Sequence, residues 1–144
     1  DTEVEVSEKK DRVDDAIHAV RAAKKEGILP GGGSALCFLS STLKVNTANK
    51  GEEIGVEIIK RALHSPFVRI LNNAGLDPAN YKDLDKWGAG VDVTDGKVKD
   101  MRKAGIIDPV LVTKSALQNA VSVATTILST DCVISNIRDY ESNR

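Results

Sequence analysis

Residues 11–36 read DRVDDAIHAVRAAKKEGILPGGGSAL, a helical pattern of apolar and charged positions that runs into three successive glycines, Gly31, Gly32 and Gly33. Val13, Ala16, Ile17, Val20 and Ala23 recur at helical spacing, with Asp14, Asp15, His18, Arg21 and Lys25 on other faces. The helix is expected to stop near Glu26-Gly27, its last turns carrying Lys24 and Lys25 against the negative end of the helix dipole. Three glycines in a row exceed what a bare turn needs. They remove every Cβ, permit positive φ and let the backbone approach another group with its own N–H donors. Standing directly before a second helix, they suit an anion such as phosphate, and equally a tight helix-to-helix corner. No lysine followed by Ser or Thr comes after them, so the stretch is not a P-loop. A helix rather than a strand precedes them, so it is not a dinucleotide fingerprint either.

Working outward, Thr2 to Ser7 alternates Val4 and Val6 with Glu3 and Glu5, the pattern of a short half-exposed strand, with Ser7 as N-cap of the helix that follows. Beyond the glycines, Leu36, Leu39 and Leu43 mark a helix running to a polar break at Asn46 to Gly51. A third helix carries Ile54, Ile58, Ile59, Ala62 and Leu63; Ser65-Pro66 then reads as the start of another, with Phe67, Ile70, Leu71 and Ala74, ended by Gly75. Asp77-Pro78 starts a short helical turn. Gly88, Gly90, Val91 and Val93 before Asp95-Gly96 and Val98 predict a tight β-hairpin. Asp108-Pro109 opens a long C-terminal helix whose apolar stripe, Leu111, Val112, Ala116, Ala120, Val123, Ala124, Ile127 and Leu128, is expected to be buried. Cys132 to Ile137 reads as a closing strand, and residues 138–144 as a polar end. The orphan β segments call for the Val4 to Val6 strand, another chain or absent sequence as neighbour. The fold class is therefore mainly α with a small hairpin.

At 144 residues, with 20 Lys plus Arg against 21 Asp plus Glu, the chain is sized for one domain and has no charge excess to attract nucleic acid or an acidic membrane. Aromatic residues make up 3%, too few for stacking on bases. No apolar run approaches the ~20 residues that span a bilayer. Cys37 and Cys132 lack the spacing of a disulfide scaffold and read as buried, reduced thiols. His18 and His64 are too isolated for a metal site or a triad and read as surface or interface residues. Asp14 and Asp15 point about a hundred degrees apart on a helix, so at most one is catalytic; ordinary solvated carboxylates are the competing reading. Asp108 fits an N-cap before proline, or an acceptor for a ribose, and Asp92 in the hairpin is as ambiguous.

Five blocks resemble the group I chaperonin family, in its order: EVEVSEKKDRVDDAIHAVRAA, EGILPGGGSAL, IGVEIIKRALHSPFVRILNNAG, GAGVDV with GIIDP, and VTKSALQNAVSVATTILSTDCVI. Group II chaperonins share the glycine turn but commonly carry glutamate where this chain has Leu36. The resemblance implies residues 1–27 as the end of the intermediate domain and 28–144 as the C-terminal half of the equatorial, ATP-binding domain, a helical bundle. It implies an ATPase coupled to protein folding, working in rings of identical subunits. By motif matching, Asp15 is the aspartate that positions or activates water. Gly32, flanked by Gly31 and Gly33, contacts the nucleotide, Asp108 the ribose and Asp92 the base. ATP or ADP is the implied cofactor. Magnesium would be held by residues of the N-terminal half, which this chain lacks, as it lacks the apical domain that takes unfolded clients and a co-chaperonin. The residues from Asp77 to Trp87 are shorter and more polar than the family's, and its Gly-Gly-Met tail is missing, so the chain reads as an excised part, inactive alone. The implied compartment is the cytoplasm or an organelle matrix, mitochondrial or plastid. A non-catalytic helical interaction module is the alternative from another class.

Overall fold

The computed structural model describes residues 2–81, 84 and 86–135. The chain divides into two compact units, 1–112 and 113–144. The first contains α1 (Glu3–Glu26), β1 (Ile28–Pro30), α2 (Ser34–Thr42), α3 (Lys50–Asn73), a 3-10 turn (Pro78–Asn80), β2 (Ala89–Asp92), β3 (Lys97–Asp100) and β4 (Ile107–Pro109). The last helix, α4 (Val110–Leu128), starts at its end and supplies the regular structure of the second unit. The fold is mainly helical, as the spacing predicts.

The expected strand at Thr2 to Ser7 is instead the first turns of α1. Thr2, not Ser7, caps the helix: its hydroxyl accepts from the Glu5 N–H, and Glu5 Oε2 accepts from the Thr2 N–H at 2.8 Å. This reciprocal capping box satisfies two helix-end donors, whereas a lone strand would have left its backbone groups without partners. The alternation of valine and glutamate was outweighed by that local closure. Glu3 and Glu5 also sit at the positive end of the helix.

Nor does Pro66 start a new helix. It lies inside α3, which runs unbroken through residues 50–73. An interior proline costs about 3 kcal/mol. Continuity places Leu63, Phe67 and Leu71 one turn apart on a single buried stripe, and burying three such side chains contributes roughly 1.5–3 kcal/mol each. The stripe wins. Phe67 and Leu71 join Leu84 and Val91 in the core, flanked by Cys37, Leu76, Tyr81 and Ala89. Phe38 of α2 meets Trp87 edge-on, ring centroids 5.4 Å apart.

Two small antiparallel sheets complete the first unit. The predicted hairpin is present, with Ala89 opposite Asp100 and Asp92 opposite Lys97. The second sheet was not foreseen: Ile28 pairs with Pro109, Leu29 with Asp108 and Pro30 with Ile107. Three-residue strands that each end in a proline carry no readable period. The Gly75 and Asp77-Pro78 signals act as expected, Gly75 taking φ +74° after α3 and the Asp77 carboxylate accepting from the Ala79 N–H.

Other expectations fail for want of a covering layer. Val13, Ile17 and Val20 on α1 are exposed, and Ala22 is that helix's buried residue. No residue of α4 is buried, where a buried stripe is expected; Leu111 is partly covered. Residues 132–135 form no strand; Asn136 and Ile137 lie outside the described residues. Cys132 is exposed rather than buried, and Cys37 is half-buried. Both thiols are free. Among the described residues no helix is long and apolar enough to cross a membrane.

Candidate functional site

Strand β1 delivers the chain directly into the glycine turn, and β4 backs it. The Gly31 N–H donates to the Ile106 carbonyl at 2.9 Å, and a Cβ at Gly31 would stand 3.0 Å from the backbone of Ile106 and Ile107. Gly32 and Gly33 take φ of +64° and +73°. A Cβ at Gly33 would lie 2.9 Å from the Phe67 backbone of α3. Each glycine thus has a packing or conformational reason to be there, which corrects the expectation that three exceed structural need.

The turn ends as the N-cap of α2, which Gly33 caps without a side chain. The Ser34 N–H donates to the Gly31 carbonyl and the Cys37 N–H to the Gly33 carbonyl, while the N–H groups of Ala35 and Leu36 have no acceptor among the described residues. Unpaired first-turn donors at the positive end of a helix favour an anion. Below the turn lies Met101, fully buried, its Cε 3.0 Å from where a Gly32 Cβ would be. The Val91 carbonyl is 4.0 Å from that same point, so strand β2 borders the turn on this side.

Asp108 lies in β4 opposite Leu29, two residues from the turn across the sheet. It is not an N-cap, because α4 begins only at Val110, whose N–H donates to the Gly27 carbonyl. Its carboxyl is half-buried with no side-chain hydrogen bond among the described residues, and burial pushes it above the usual carboxylate range. A desolvated carboxylate without a protein donor is suited to accept from a hydroxyl-bearing ligand.

Asp92 ends β2, and both its oxygens are engaged. Oδ1 accepts from the Thr94 N–H at 3.0 Å and the Thr94 hydroxyl at 2.6 Å; Oδ2 accepts from Lys99 Nζ at 2.7 Å. Lys99 also reaches Asp95 Oδ2 at 2.8 Å. The Lys99 hydrogen bond, then those from Thr94, lower the Asp92 carboxyl to about 2. Asp92 clamps the hairpin, a role absent from the sequence reading.

Asp15 is the outlier. It is exposed on α1, eleven residues before Glu26, or about 16 Å of helix rise from that end. No hydrogen bond or ion pair joins it to the turn, to Asp92 or to Asp108. Asp14 is likewise exposed. The geometry therefore gathers the glycines, Asp108 and the strand that ends in Asp92, and leaves Asp15 apart. Among the described residues no cluster of His, Cys, Asp and Glu could hold a metal ion. His18 is exposed; His64 is partly covered beside Phe67, its Nδ1 buried without a partner.

Residues 1–138 match the TCP-1/cpn60 chaperonin family. The chain belongs to that family. It is 47% identical over 146 residues to the mitochondrial chaperonin homolog Hsp-60 of Caenorhabditis elegans, an alignment covering 98% of this chain and 26% of the relative. This chaperonin chain thus spans about a quarter of that relative's length, and its likeness is to the group I class.

Proposed function

We propose that this chain is part of an ATP-driven protein-folding chamber built from rings of identical subunits, and that nucleotide is held at the glycine turn. The unpartnered, half-buried Asp108 carboxylate beside a turn with unpaired helix-start N–H groups carries this reading. Asp108 accepts from the ribose hydroxyls, the Gly32 backbone and the first turn of α2 offer donors, and Asp92 borders the base. ATP supplies the hydrolysable phosphoanhydride. Magnesium is left to residues that the described chain does not contain. Asp15 positions or activates water. With α1 ending at Gly27, which takes φ +88° and has open space around it, a hinge there would carry Asp15 toward the turn. Residues 1–27 form the end of the intermediate domain and 28–144 the C-terminal half of the equatorial domain. Clients and a co-chaperonin engage the apical domain of the full-length subunit, in an organelle matrix of the mitochondrial kind.

The test compares melting with and without ADP in the wild type and in Asp108→Asn. Bound ADP raises the wild-type melting temperature by mass action. The variant is expected to lose that shift while its own ligand-free stability at pH 7 does not fall, because the buried charge is a cost in the folded state. A variant that keeps the full ADP shift would remove Asp108 from the site. In the full-length subunit, Asp15→Ala should retain nucleotide yet lose most single-turnover hydrolysis; unchanged hydrolysis would take Asp15 out of the mechanism.

A further inference from the structure

Among the described residues, Ser34 is the buried polar one, 3% exposed. Its hydroxyl donates to the Gly31 carbonyl at 2.7 Å, and its own N–H donates to the same oxygen at 3.2 Å. One residue thus grips one carbonyl twice. The peptide joining Gly31 to Gly32 is trans and planar, so the Gly32 N–H points opposite to that carbonyl, away from Ser34. The Gly32 N–H has no acceptor among the described residues.

A peptide between two glycines is the easiest kind to flip, since neither flanking residue has a Cβ to bar the alternative φ and ψ. The Ser34 N–H contact is long, leaving the short hydroxyl contact as the stronger restraint. Burial of Ser34 keeps water from competing for the carbonyl. The Ser34 Cβ lies 2.9 Å from where a Gly90 Cβ would be, so β2 closes over the serine and leaves its rotamer little freedom.

We infer that Ser34 is a positioning residue for the nucleotide site: its hydroxyl locks the Gly31–Gly32 peptide in the orientation that presents the Gly32 N–H to ligand. The inference rests on the nucleotide reading above and assigns Ser34 no contact with nucleotide.

The experiment follows the Gly32 amide by 1H–15N NMR in the wild type, Ser34→Ala and Ser34→Cys, and titrates each with ADP. The cysteine variant keeps the shape with a weak donor, and serves if alanine fails to fold. Expected are a single sharp Gly32 signal in the wild type, a broadened or doubled one in both variants, and ADP affinity weakened roughly three- to tenfold, the scale of one lost hydrogen bond. Signals of α1 should not move. A sharp Gly32 signal at the wild-type position with unchanged ADP affinity would overturn the inference. If the wild type itself ignores ADP, the nucleotide reading and the binding role of Ser34 both fall, while the Gly32 line shape still decides whether Ser34 holds the peptide.

Discussion

Asp92 and Asp108 are both carboxylates near one turn, yet their surroundings push them in opposite directions. Asp92 is lowered to about 2 by Lys99 and Thr94, against about 3.9 in an unfolded chain. Its contribution to stability is therefore present above about pH 4 and lost as pH falls through about 2. Asp92→Asn should melt lower than the wild type at pH 7, with the gap closing by pH 2; a gap constant with pH would mean the charge is not what matters. Asp108 has the reverse sign: its folded carboxyl is raised by burial, so the ionised form is a cost above that raised value, relieved on acidification. The residue types at both positions are plain in the sequence. Their opposite environments are not, because Lys99 reaches Asp92 across the hairpin and Asp108 is partly buried in a strand that pairs with the distant β1.

Among the elements, α3 is where local and non-local preferences conflict. Ser65-Pro66 is a good helix start by local chemistry, but the 63, 67, 71 stripe needs a continuous helix. Pro66→Ala should restore a backbone donor inside α3 and raise stability by about 1–2 kcal/mol, after allowing for the looser unfolded chain. Phe67→Ala should cost about 3–5 kcal/mol, since the ring is 1% exposed. Urea unfolding of the two variants checks both signs; a destabilised Pro66→Ala would show that the proline is needed where it stands. At α1 the error ran the other way. The Thr2-x-x-Glu5 capping box was legible in the letters, but alternation of Val and Glu masked it.

At the scale of the whole molecule, burial is uneven. The core gathers around the C-terminal half of α3 and the hairpin, whereas α4 and most of α1 keep their apolar positions exposed. The two thiols report this difference. Burial pushes the Cys37 thiol up and half covers it, while Cys132 is open. A thiol-specific reagent at pH 8 should modify Cys132 first and Cys37 much more slowly, as mass spectrometry of digests would show; equal rates would deny the difference in cover. Helix type, the hairpin, the glycine turn and the family follow from the amino-acid sequence alone, because periodicity, glycine and capping chemistry are local and leave a mark in the order of residues. Tertiary structure alone decided that Pro66 is spanned, that β1 meets β4, that Ser34 grips Gly31 and that Asp92 is clamped by Lys99 while Asp108 is partly buried. Those outcomes depend on which surfaces meet across distant parts of the chain, and the free energy of burial there exceeds the local preferences it overrides.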